Sequence, residues 1–370
     1  MPLFLDDEQT MLRDTARDFV SEQMPVAHMR KLRDDKSADG FSRDHWKSFA
    51  EMGFTGILIP EGDGGLGLGH VEAGVVLEEI GRNLSPSPFL TTAVAAVEAL
   101  RGSAQRERWF PGIIAGETVA ALAIDEKPKH NGKVAMQARR AGNGYRLSGA
   151  KQFVTHGHVA DLLIVAAHVE ENADVTLFAV PAGTAGVTAT PERLTDASIA
   201  ARVQFDDVQL DGDAVIGGED GGEAYARLLD AARIGASAEM LGVGGGAMDM
   251  TMSYLKDRKQ FGVAIGSFQA LQHRAAHLYS ELEVARAAVL KAQQLLDTGS
   301  EEAAMAAAVA KAMTGLATTL AVQEGVQMHG GIGMTDEHDI GFYMKRGRVL
   351  AEMFGDTNFH ADAVARMAGF

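Results

Sequence analysis

The chain is 370 residues long, enough for two or three packing units with a sizeable buried core. Its formal net charge of −16 argues against nucleic acid as the main partner, because phosphate contacts need a basic surface, but leaves a nucleotide-bearing ligand open. With no cysteine, the sequence excludes disulfides, thiolate metal sites, iron–sulfur clusters and cysteine nucleophiles.

The start, "MPLFLDDEQT", is acidic and lacks a basic region followed by an apolar core, so no signal peptide is expected. Asp6 and Asp7 predict the cap of a helix whose Leu12, Ala16, Phe19 and Val20 fall at helical spacing. Ser42 predicts a second helix through Trp46 and Phe49, and "GHVEAGVVLEEIGRN" a third, after the flexible "EGDGGLGLG". Apolar runs such as "TTAVAAVEAL" are broken by charge short of the roughly 20 residues a membrane span needs. The expectation is a cytoplasmic protein with no membrane partner.

Beyond Glu117 the texture changes. "TVAALAI", "AMQARRAGNGYRLSGAKQFVT", "LLIVAAHV", "VTLFAVP" and "ARVQFDDVQL" are short β-rich runs punctuated by Gly, Asn, Asp or Pro. They predict a compact antiparallel β domain with hairpins. From Gly221 long helices return, over roughly 224–257, 268–297, 301–328 and 336–353, with a short one at 357–368. Ser300 followed by Glu301 and Glu302 marks a helix start, with acid at the positive end of the macrodipole. The fold class is α+β: a helical domain (1–116), a β domain (117–220) and a four-helix bundle (221–370).

"GVGGGAM", from Gly242, superficially matches a dinucleotide fingerprint, but it lies inside a helical segment with no strand before it. Small residues that let helices approach closely explain it better. "THGH", Thr155 to His158, can ligate a metal from a strand; without organised carboxylate companions it reads as a turn, and no metal site is expected. "DRKQFG", Asp257 to Gly262, suits either an anion such as a pyrophosphate or basic capping of a helix end. In "QMHGGIG", Gly330 and Gly331 either end a helix or let a ligand reach the backbone.

In this order, these pieces resemble the acyl-CoA dehydrogenase family over nearly the whole chain. The likeness rests on "MGFTGILIPEGDGGLG", "LEEIGR", "GSAQRERWFPGIIAGE", "GYRLSGAKQFVTHG", "SYLKDRKQFGVAIGSFQALQH" and "VQMHGGIGMTDE". It implies FAD bound between domains and across a subunit interface. It also implies removal of a proton from Cα and a hydride from Cβ of an acyl-CoA, with electrons passed to an electron-transferring flavoprotein. By resemblance, Phe153 and Thr155 flank the flavin ring, as an aromatic face and an O–H at its reactive edge. Arg258, Gln260 and Phe261 match positions that reach FAD from a neighbouring subunit, with Gln269 matched beside them. Gln327, Gly330 and Gly331 match the segment holding the adenosine half, and Thr357 matches the threonine after the catalytic pair. For Gln269 and Gln327 an ordinary helix-surface role stays open.

Two departures stand out. The family's catalytic Glu falls at Gly355, and the alternative seat used by a minority of members, just before an Arg, is Ala232. The family's Gly- and Ser-containing loop after the first strand is replaced by "KPKHNG", preceded by Asp125 and Glu126, which implies altered binding of flavin or acyl-CoA at that edge. A positioned base contributes about 10²–10⁴ in rate, yet glycine keeps a backbone N–H able to polarise a thioester carbonyl.

Three explanations compete. The base has moved to Asp356, Glu352 or Glu239, although Asp356 reads better as a helix N-cap and Glu352 as a surface residue. Alternatively the chain is one subunit of a hetero-tetramer, like the bacterial pairs in which only one subunit carries the Glu and which act on steroid side chains or dicarboxylic acids. The last is a flavin oxidase or monooxygenase acting on a non-CoA substrate, with a non-catalytic structural subunit as a further variant. The second is preferred, a homo-tetramer being the alternative assembly. If the base is simply absent, Gly355→Glu is expected to create activity.

Overall fold

The computed structural model describes residues 2–170, 174–218 and 221–370. The first helices follow their sequence signals. In α1 (Asp7–Gln23) the Asp6 carboxylate accepts from the Gln9 N–H while the Gln9 side chain returns to the Asp6 N–H, a reciprocal capping box. α2 (Val26–Asp34) is an element the sequence reading passed over. Ser42 caps α3 (Arg43–Glu51) through the His45 N–H, and α4 (His70–Arg82) follows the glycine-rich stretch. A π-helical segment, Leu90–Ala96, runs into α5 (Val97–Leu100), and α6 (Arg106–Ile114) closes the helical run.

The strands are β1 (Ala120–Ala123), β2 (Gln137–Ala141), β3 (Gly144–Thr155), β4 (Leu162–Val169), β5 (Val175–Pro181), β6 (Val187–Arg193), β7 (Ile199–Leu210) and β8 (Val215–Ile216). They form one sheet in the order β6-β7-β3-β2-β4-β5-β8, with β1 beside β4. It is largely antiparallel, as the hairpin signals require, but β1 and β2 each pair with β4 in parallel. Non-local parallel pairing leaves no turn signature, so it was invisible in the sequence. Leu147, Val154, Leu163, Phe178, Val203 and Phe205 fill one face. The domain boundary placed at residue 220 falls outside the described residues.

Helices then return as α7 (Gly222–Asp257), a two-stranded hairpin of β9 (Lys259–Gln260) and β10 (Val263–Ala264), α8 (Gln269–Asp297), α9 (Ala303–His329), α10 (Ile340–Glu352) and α11 (Thr357–Met367). "GVGGGAM" lies within α7, where a Cβ on Gly242 would come within 1.9 Å of Glu78 O and one on Gly246 within 2.5 Å of Arg82 O. These glycines let α4 and α7 touch backbone to backbone, and the close-packing reading stands. Contrary to the expectation that no run is long enough, Ala303–Met334 is long and apolar enough to cross a membrane. More than half of its apolar window is buried, and α9 packs against α8, α10 and α11 as a core helix of the bundle.

Packing gathers the chain into two compact units. One is made of Met1–Lys31, Gly74–Ser85 and Arg233–Phe370, the other of Leu32–Ala73 and Pro86–Ala232. The first is the helical unit, with Met240, Val243, Val322, Phe342 and Leu350 in its core. The second bears the sheet.

Candidate functional site

In the sheet-bearing unit, β3 ends at two of the predicted flavin residues. A register shift between Lys151 and Val154 breaks the β3–β7 ladder, and Phe153 sits within it at φ +53 with its ring 44% exposed. The bulge turns an aromatic face outward next to Val154, which is buried in the core. Thr155 pairs with Ala200. Beyond it "THGH" forms the predicted turn: His156 takes φ +60 with its ring edge-on to Phe41, and His158 Nε2 lies 2.9 Å from Ala38 O. Among the described residues no group of His, Cys, Asp or Glu is arranged to hold a metal.

The replaced loop is built into this strand. Buried Lys151 donates to Glu126 Oε1 at 2.7 Å and to Ile124 O at 3.0 Å. The Glu126 carboxylate also accepts the N–H groups of Ala135 and Met136, tying the far end of the loop to its start. Burial pushes the Glu126 carboxyl up, but the hydrogen bond and charge of Lys151 outweigh it and hold the carboxyl below its usual range. Burial lowers the Lys151 ammonium, opposed by Glu126. Asp125, where the family has a flavin-contacting Thr, holds His130 Nδ1 at 2.7 Å. An acid–imidazole pair thus occupies the edge at which altered binding was expected.

In the helical unit, the sequence-predicted cofactor residues gather at two places. Arg258, Gln260 and Phe261 stand exposed on the β9–β10 hairpin and its approach, Phe261 at φ +51 and 92% exposed. Exposed Gln269 opens α8 just beyond. At the end of α9, Gln327 is exposed, Gly330 takes φ +65, and nothing lies within 4 Å of a Cβ built on Gly330 or Gly331. That backbone is open to a ligand. A hollow of about 500 Å³ lined by Arg82, Asp249, Tyr254, His338 and Tyr343 contains none of the predicted residues.

The last turn bears directly on the question of the base. Phe354 at φ +58 and Gly355 at φ +108 reverse the chain between α10 and α11. A Cβ on Gly355 would meet Phe359 Cδ1 at 2.4 Å and His360 Nε2 at 2.8 Å. The position therefore excludes a side chain by both dihedral and space, and Gly355→Glu is not expected to restore a base, contrary to the sequence-level expectation. The substitutes are all committed elsewhere. Asp356 caps α11 by accepting the Phe359 N–H at 2.8 Å, Glu352 pairs with Arg348 at 2.9 Å, and buried Glu239 accepts Arg346 Nε at 2.9 Å. Ala232 is fully buried, and Thr357 Oγ1 fills the space that a Cβ on Gly315 would take.

Sequence reasoning missed what surrounds this turn. Lys311 on α9 is 1% exposed and donates to Gly355 O at 3.0 Å and Ala351 O at 3.1 Å. Phe354 O lies 3.0 Å from His360 Nε2 and accepts Arg233 Nε at 3.4 Å. Burial first, then the Arg233 charge, push the Lys311 ammonium down to about 7, against Glu352 and Asp356. The available signal was a lone lysine inside the apolar "VAKAMTGLA" of a helix.

A helical segment, a mixed sheet and a long-helix bundle carry an exposed aromatic two residues from a hydroxyl on β3 and exposed basic side chains at the β9–β10 hairpin. Profiles described as acyl-CoA dehydrogenase N-terminal, middle and C-terminal domains match residues 6–117, 127–208 and 219–369. The chain is 30% identical over 359 residues to "Acyl-CoA dehydrogenase FadE12" of Mycobacterium tuberculosis, covering 93% of this chain and 91% of that one. It superposes on the Tcur3481–Tcur3483 steroid acyl-CoA dehydrogenase at TM-score 0.90 and 30% identity, with 98% of each chain covered. The ChsE4–ChsE5 complex of Mycobacterium tuberculosis matches at TM-score 0.91 and 25% identity over the full length of both chains. The chain belongs to the acyl-CoA dehydrogenase family, whose members use FAD to oxidise the Cα–Cβ bond of an acyl-CoA.

The residues present fit that cofactor. Phe153 offers a flat face and Thr155 an O–H in one unit. In the other, Arg258 and Gln260 offer exposed donors suited to a pyrophosphate, and Gly330–Gly331 offer open backbone.

Proposed function

We propose that this chain works as one subunit of a heteromeric acyl-CoA dehydrogenase, and that the carboxylate which takes the Cα proton belongs to a second, non-identical subunit of the same family. The observation that carries this reading is the Gly355 turn, whose φ of +108 and crowded Cβ position leave no room for a base, with the nearby acids already engaged. When bound, FAD accepts the hydride from Cβ. In this reading Arg258, Gln260 and Gln327 hold the cofactor's phosphate and adenosine portions from across a subunit interface, which explains why they persist beside a lost base. Phe153 and Thr155 orient and shield a flavin ring, and the Gly355 N–H remains as a donor toward a thioester carbonyl.

Two of the structural relatives are pairs of dissimilar names, one described as a steroid enzyme, which supports a bulky acyl group as the substrate class. An electron-transferring flavoprotein is the proposed electron acceptor, and the cytoplasm the proposed location. The test is the visible spectrum of the protein purified alone, then with a Glu-bearing family member co-expressed, each titrated anaerobically with straight-chain and steroid side-chain acyl-CoAs. Bleaching only in the co-expressed assembly is the expected result. Bleaching of the chain alone would overturn the heteromer.

A further inference from the structure

We propose that Lys311 is a positioning residue: from α9 it clamps the Phe354–Gly355–Asp356 turn so that the backbone of the turn, and not a side chain, is presented to an acyl thioester. The second half of this statement rests on the function proposed above; the clamp itself does not.

The argument starts from hydrogen-bond accounting at a strained turn. Two successive residues at positive φ, one of them Phe354, are held in place by their surroundings. Their carbonyls cannot join a helix ladder, and each is taken by a buried or half-buried basic group. Gly355 O and, one helical turn earlier, Ala351 O accept the Lys311 ammonium. Phe354 O is approached by His360 Nε2 and Arg233 Nε. The amide side of the Phe354–Gly355 peptide is far less engaged, because the Gly355 N–H reaches Glu352 O only at 3.4 Å. A peptide whose carbonyl is polarised by a cation is a stronger donor at its N–H. The turn is thus a rigid peptide pair with its oxygens tied inward and an N–H left for a ligand's oxygen.

Lys311 is the central member because its one ammonium donates both to the end of α10, at Ala351 O, and to the turn, at Gly355 O. The charged groups that reach it are Arg233 from α7, Glu352 from α10 and Asp356 at the start of α11, with His360 behind the turn. Neutral lysine keeps two N–H donors and still spans both carbonyls, but without the added strength of a charged donor. The larger effect is on the proton itself: opening the turn to water returns Lys311 to its ordinary affinity for a proton, so opening takes one up near neutral pH and the closed turn is favoured as pH rises.

Hydrogen exchange across residues 352–358 of the flavin-loaded assembly tests this, at pH 5.5 to 8.5 with correction for intrinsic rates. In the wild type, protection of this segment is expected to rise about tenfold across that range. Lys311→Met, which keeps bulk and removes every donor, is expected to abolish both the protection and its pH dependence while α9 stays protected. Lys311→Gln, with two uncharged N–H donors, is expected to restore part of the protection without the pH dependence. Unchanged exchange in Lys311→Met, equal loosening throughout the bundle, or pH-independent wild-type protection would overturn the clamp. Adding octanoyl-CoA or a steroid side-chain acyl-CoA is expected to protect the segment further in the wild type only. No added protection by either thioester, with selective loosening by Lys311→Met still present, would keep the clamp and overturn the thioester role.

Discussion

Among the described residues, Lys151 and Lys311 lie almost fully buried, and their surroundings differ in one respect. Lys151, on β3, faces a carboxylate at 2.7 Å, whereas Lys311, on α9, faces two carbonyl oxygens and the guanidinium of Arg233. Carbonyl dipoles satisfy hydrogen bonds but do not cancel charge. Removing an ammonium from water therefore leaves Lys311 titrating near 7, while Lys151 has a counter-ion that opposes its loss of charge. The first arrangement locks a loop; the second makes a joint whose strength depends on protonation.

The largest way to break this contrast is to force a side chain into the joint. Gly355→Glu combines an unfavourable φ with overlap at Phe359 and His360, and is expected to cost about 2–6 kcal/mol in denaturant unfolding. It should add no turnover with any acyl-CoA. Next, Glu126→Ala strands Lys151 without its counter-ion. Because Glu126 is only partly buried, the loss is expected at about 2–3 kcal/mol, below that of a fully buried pair. Restoration of stability by Glu126→Ala with Lys151→Met would confirm the origin.

Lys311 sharpens the comparison through pH. Its folded value, about 7, lies below the unfolded value, so between the two the unfolded chain binds the extra proton. Stability should therefore rise with pH from 7 toward 10, by roughly 1–2 kcal/mol over the first two units. Lys311→Met should flatten that slope in melting curves, and an unaltered slope would place the titration elsewhere. The smallest effect belongs to Asp356. Asp356→Ala removes a cap worth about 1 kcal/mol, whereas Asp356→Asn keeps the cap and should leave both stability and assembly turnover intact. Loss of turnover in Asp356→Asn with flavin retained would make Asp356 the base after all.

How much of this was written in the sequence depends on the range of the interaction. Asp6, Ser42 and Asp356 announced their helices because capping is settled within three residues. The glycines of α7 could be assigned to close packing because no strand precedes them, although only the fold identifies α4 as the neighbour. The parallel pairings of β1 and β2 with β4 join segments far apart along the chain, and no local signal encodes them. At the candidate site, the residue types matched to flavin were readable, whereas the reason Gly355 cannot be replaced was not. That reason is a backbone angle fixed by Phe359, His360 and a lysine 44 residues away.

The β9–β10 hairpin has a consequence for how the protein must be made. A copy without its neighbours carries Phe261 almost bare to water, flanked by the partly exposed Val263 and Phe268. Such a patch associates with any apolar surface available, productive or not. In the proposed heteromer, a cell making this chain in excess of its partner would accumulate a species prone to clump, so the two would need balanced synthesis. Co-expression would then raise yield before any effect on catalysis is measured.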